Sequence, residues 1–138
     1  MKTALAWISC SLMIVGICLF ANHGTATAQP ETCWLVFYVS SGEPGDTPDE
    51  IICLTSETEG YVRETSIFGS GAIGCNRVTF DRIRDAMNFI VDYSKCTNNS
   101  PSHSIFCPPS QSDRFKCEWR MLDDNTPPSD AYLVRERQ

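Results

Sequence analysis

Six cysteines, Cys33, Cys53, Cys75, Cys96, Cys107 and Cys117, are the residues of this chain best equipped for covalent chemistry. Their successive gaps are 20, 22, 21, 11 and 10 residues, which lack the close Cys or His pairs of a zinc site, so no metal or other cofactor is expected. An even set in an oxidising compartment points instead to three disulfides, each contributing about 2–4 kcal/mol. Spacing leaves all fifteen pairings open.

Acid–base chemistry has little to work with. His103 is the one histidine after the leader described below, in the polar stretch 97–104 beside Ser102 and Ser104. A serine triad would need an acid and a serine brought to it by the fold, and no nucleophile-elbow glycine pattern is present. Ribonuclease-type chemistry would have to pair His103 with a carboxylate, because no second imidazole remains. Glu57 with Glu59, and Asp123 with Asp124, are candidate glycosidase pairs, but they fall in expected turns, where acids are ordinarily solvated. Phosphate-loop, dinucleotide and EF-hand spacings are absent, so no catalytic residue is expected. Asn98-Asn99-Ser100 is a glycosylation sequon with Asn98 as acceptor, followed by Pro101. Among the aromatics, Trp34 and Trp119 are expected in the core. Tyr61 and Tyr132, near a turn and in the tail, are the candidates for a binding surface.

Lys2, an apolar run over 4–21 and the small residues Ala26-Thr27-Ala28 have the form of a secretory leader, 1–28, cleaved after Ala28. Cys10 and Cys18 leave with it. The remainder, 29–138, suits one domain, with a cysteine-rich body over 29–122 and a polar tail over 123–138. All 17 acidic residues follow the leader, and the whole chain carries a net charge of −6. That balance argues against nucleic acid and against anionic membranes as partners.

The elements that would position these residues follow from periodicity. Residues 33–39 (CWLVFYV) are β-formers throughout and predict a central strand, with Trp34, Val36 and Tyr38 on one face. Residues 51–55 and 61–68 predict a hairpin, 105–107 a short strand, and 115–122 an alternating strand. Residues 132–134 are a candidate last edge strand. Over 79–94, Phe80, Ile83, Ala86, Met87, Phe89, Ile90, Val91 and Tyr93 fill one arc at 100° per residue, which predicts an amphipathic helix. The expected fold class is therefore α+β: an antiparallel sheet of four or five short strands with one helix packed on it, stapled by disulfides.

A leader ending Ala26-Thr27-Ala28, a short mature chain, six spaced cysteines and a first strand led by Cys33 resemble the small secreted cysteine-rich effector (avirulence) proteins of plant-infecting filamentous fungi. The resemblance spans the chain as architecture and carries no motif. An Arg-x-Leu-Arg translocation motif, the oomycete pattern, does not follow the leader. The resemblance implies a disulfide-stapled α+β fold and a secreted virulence-type protein that binds a host protein rather than catalysing a reaction. Two alternatives share the framework: a small secreted hydrolase or ribonuclease-like enzyme using His103, and an animal secreted inhibitor or toxin-like binding protein.

Overall fold

Side chains along a strand alternate between two faces, so a segment with apolar residues at every second position must bury one face. Eight segments of this chain do so. The computed structural model describes residues 31–39, 44–97 and 99–137. Its strands are β1 (Thr32–Tyr38), β2 (Glu50–Leu54), β3 (Glu59–Thr65), β4 (Arg77–Ile83), β5 (Ala86–Asp92), β6 (His103–Cys107), β7 (Arg114–Met121) and β8 (Ser129–Arg135). Each pairs antiparallel with its neighbours in chain order, and β8 pairs with β1, closing an eight-stranded up-and-down barrel. The expected leader and Asn98 lie outside the described residues.

This architecture corrects the α+β expectation. The predicted helix over 79–94 is the β4–β5 hairpin, paired in continuous register from Arg77↔Asp92 to Ile83↔Ala86. The physical reason lies in the turn. Arg84 and Asp85 have φ of 49° and 68°, the positive pair of a type I′ connection whose twist matches the flanking strands. Asn-Gly or Asp-Gly usually announces that turn, and neither is present. The two-residue connection also resets the alternation. Phe80 on β4 faces inward, as do Met87, Phe89 and Val91 on β5, whereas Ile83 and Ile90 are exposed. A period-2 pattern broken by such a reset fills an arc when it is sampled at 100° per residue. The four or five expected strands are eight, and β1 is not a central strand, because a closed barrel has neither centre nor edge.

The interior is filled. Val36, Ile52, Val62, Val78, Phe89, Val91, Ile105 and Leu133 are fully buried in one cluster. Trp34 packs edge-on to Phe89 and Phe115, with ring centroids 6.3 and 5.6 Å apart. Outward positions include Asp81, Lys116, Glu118 and Arg120, all exposed. That is the reverse of a membrane barrel, whose outward face is apolar. Among the described residues no helix is long and apolar enough to cross a membrane.

The three disulfides join consecutive cysteines: Cys33–Cys53, Cys75–Cys96 and Cys107–Cys117. The first links directly opposed residues of β1 and β2. The third ties β6 to β7 with both cysteines buried. The second joins the β3–β4 connection to the β5–β6 connection at one end of the barrel. Each closes a loop of 10 to 21 residues, a length at which a cross-link removes about 3 kcal/mol of unfolded-chain entropy. These bonds are consistent with an extracellular protein.

One seam is thin. β3 and β4 share only the pairs Glu59↔Thr79 and Gly60↔Val78. There β3 runs close to β2, and a Cβ built at Gly60 would overlap the Cys53 carbonyl. Beyond the two pairs Asn76 acts as the missing strand partner. Its Oδ1 accepts from Val62 N–H at 2.6 Å, and its Nδ2 donates to the carbonyls of Val62 (3.1 Å) and Ala72 (2.7 Å).

Two outcomes are expected in urea unfolding. Asn76→Ala orphans three backbone groups at the seam and lowers stability by about 2–4 kcal/mol. Replacing Arg84-Asp85 with Asn-Gly relieves two positive-φ side-chain positions and raises stability by about 1 kcal/mol.

Candidate functional site

The two ends of the barrel are built differently. At one end the β3–β4 connection, with its short 3₁₀ turn Ser70–Ala72, folds across the opening. The Phe68 ring lies 5.2 Å from Tyr93 and 5.7 Å from His103, and the Cys75–Cys96 bond holds the connection down. Beneath it sits a polar cluster. Glu50 and His103 are both 0 % exposed. Tyr38 and Tyr93 each donate a hydroxyl hydrogen to Glu50, at 2.8 Å to Oε2 and 2.8 Å to Oε1. His103 Nε2 is 2.9 Å from the Tyr38 oxygen and 3.2 Å from Glu50 Oε2. Because Tyr38 has given its hydrogen to Glu50, its oxygen accepts from His103, and Nε2 carries a hydrogen. Nδ1 has no partner.

Strand alternation explains this convergence. His103 opens β6 on the inward phase shared with Ile105 and Cys107, and Glu50 opens β2 on the phase shared with Ile52. His103, which the sequence places in a polar stretch, is instead a buried residue at the start of a strand. The histidine–carboxylate pair that acid–base chemistry would need does form, but inside a sealed end where no substrate touches it in this conformation. Burial first, and then the nearby Glu50 carboxylate, push the phenols of Tyr38 and Tyr93 well above their ordinary value.

The other end has no such cover among the described residues. Here a cleft of ≈ 470 Å³ is lined by the β2–β3 connection, by Asp113 before β7 and by the ends of β1, β4, β7 and β8. Its apolar lining includes Trp34, Leu54, Phe80 and Phe115, and Trp34 is 6 % exposed. Arg82 and Arg135 line the same cleft. Both sit on the inward phase of their strands, Arg82 following Val78 and Phe80, and Arg135 following Ala131 and Leu133. In a ring of eight strands β4 and β8 stand opposite each other, so the two guanidinium groups enter from facing walls. Neither makes an ion pair among the described residues. Glu57 and Asp113 also line the cleft, from the β2–β3 turn and the residue before β7.

Glu57 apart, the acidic, cysteine and tyrosine candidates from the sequence lie away from this cleft. All six cysteines are consumed in disulfides. Cys33 and Cys53 lie with Glu31 in a grouping of metal-donor atoms, but a disulfide sulfur offers no thiolate. Tyr61 is half-buried on the outer wall against the Cys33–Cys53 cluster, and its hydroxyl donates to Glu31 at 3.1 Å. Tyr132 lies on the outer face of β8, with the Arg114 guanidinium 4.3 Å above its ring. Neither lines the mouth. Glu59 is paired with Arg77, while Glu57, Asp123 and Asp124 are exposed. Sequence reasoning passed over Arg82, Arg135 and Glu50. The available signal was a charged residue on the apolar phase of a strand, visible only once period 2 is assigned.

No protein-family model, curated protein or solved structure matches this chain.

The buried tyrosines set a pH dependence. A phenol whose pKa is raised on folding contributes stability that is fully present below its unfolded value near 10 and is lost as pH climbs beyond it. Unfolding free energy is therefore expected to fall above pH 10 by up to about 1.4 kcal/mol per pH unit for each tyrosine. Brief urea titrations from pH 8 to 11 measure this. The Tyr38→Phe/Tyr93→Phe variant should be less stable at pH 8 but flatter across the range.

Proposed function

We propose that this chain is a secreted binding protein that takes a small ligand at the open mouth of its barrel. The observation that carries this reading is the mouth itself: an aromatic-lined concavity with charged groups from separate strands, on a scaffold closed at its other end. An eight-stranded barrel is wide enough either to fill with side chains or to hold one small ligand. This one does the first in its middle and leaves room for the second at its rim. The cleft volume falls within the range of about 300–1,000 Å³ usual for small-molecule sites.

The leader-like segment and the disulfides support export. The effector-type resemblance supports binding at a host interface as the setting, although its α+β implication does not hold for this fold. A concave mouth favours a small molecule over the host protein expected from the resemblance, because protein partners commonly bury about 800 Å² on each side. The His103 reading as an enzyme gains no support from a fully buried pair.

Native mass spectrometry of the oxidised protein, after incubation with extract from the host or source tissue, tests the reading. One small molecule bound per chain, lost in Trp34→Ala at unchanged circular dichroism, is the expected result. Binding that is unaffected by Trp34→Ala, or no small molecule retained, would overturn it.

A further inference from the structure

The chemistry of the mouth narrows what it would hold. Arg82 and Arg135 are the cationic groups lining the cleft, and they project from opposite walls of a chain whose net charge is −6. Like charges converging on one concavity repel, and the nearby carboxylates do not neutralise them by contact. Asp113 continues the β7–β8 register opposite Arg135, yet neither it nor Glu57 comes within ion-pair distance of either arginine. The Trp34 indole N–H, on a ring that lines the same cleft, is buried without a hydrogen-bond partner among the described residues. Directly across the strand pair from Trp34 stands Arg135. Aromatic rings therefore lie beside uncommitted N–H donors.

Resting on the reading of the mouth as a ligand site, we propose that its ligand is an anionic amphiphile. Its flat apolar body would lie against Trp34, Phe80 and Phe115, and its carboxylate, sulfonate or similar oxyanion would be held between Arg82 and Arg135. A guanidinium fork fits a planar or tetrahedral oxyanion through paired N–H bonds. Two forks from facing walls would hold it from both sides, and the aromatic floor would exclude water from the apolar part. The rim carboxylates disfavour a doubly charged ligand, so the anion carries a single charge.

Two probes with one aromatic body separate the claims: 1-anilinonaphthalene-8-sulfonate and its uncharged parent, N-phenyl-1-naphthylamine. Both are titrated by fluorescence into the oxidised protein at low salt. The sulfonate is expected to bind one per chain and at least tenfold more tightly than the parent, since a charge-assisted hydrogen bond is worth about tenfold or more in affinity. Arg82→Gln and Arg135→Gln, at exposed positions, should each weaken the sulfonate about tenfold and leave the parent unchanged. Asp113→Asn should tighten the sulfonate, which guards against reading lost binding as lost folding. Equal affinity for both probes, indifferent to the glutamine variants, would overturn the anionic assignment while leaving the mouth as a binding site. Loss of neither probe in Trp34→Ala would overturn the mouth reading and this inference with it.

Discussion

The pairing of β8 with β1 is the constraint on which the rest of the molecule depends. Five residues of β1, Trp34 to Tyr38, face Arg135 to Ala131 of β8 in continuous antiparallel register. Without that contact the chain would be an open meander with two bare edges and an apolar face too broad to cover. With it, every strand has two neighbours and the apolar face becomes an inside. The closure also brings Arg135 to the mouth beside Trp34 and sets it opposite Arg82. The same ring leaves a weak place, the β3–β4 seam, where an asparagine side chain substitutes for backbone.

The two ends follow from how the connections are built. At the sealed end, a long β3–β4 connection carries Phe68 and a disulfide across the opening, and polar groups trapped beneath it must satisfy one another. A buried carboxylate is costly unless donors surround it. Glu50 accepts from two tyrosine hydroxyls, and the His103 imidazole stands against one of them and within 3.2 Å of the carboxylate, each group supplied by a different strand or its end. At the open end the β2–β3 and β4–β5 connections are short, and among the described residues none folds over the mouth. Arginine forks there are exposed and make no ion pair among the described residues, which is what an incoming anion would need.

Much of the local structure was legible in the residues. The strand at 33–39, the grouping of Trp34, Val36 and Tyr38 on one face, the hairpin of β2 and β3, and the alternation of Phe115, Cys117 and Trp119 correspond to observed elements. The 79–94 segment was not legible. Its turn is Arg-Asp without glycine, and its apolar residues fit two periods equally well. At helical spacing Arg82 falls out of phase with Phe80, and only a strand places the two on one face. His103 and Glu50 lie 53 residues apart, and neither has a neighbouring residue that signals the other.

What the sequence determined by itself was local and compositional: an even set of cysteines after a leader-like segment, an acidic balance, and segments whose apolar residues require burial. Those features depend on neighbouring residues and on chain totals. The tertiary structure alone decided the disulfide pairing, the closure of the sheet, the burial of His103 with Glu50 and the placing of Arg82 and Arg135 on one cleft. Each of these joins residues distant in the chain. A strand's alternation specifies which side chains share a face, but only the pairing of whole strands specifies which faces meet.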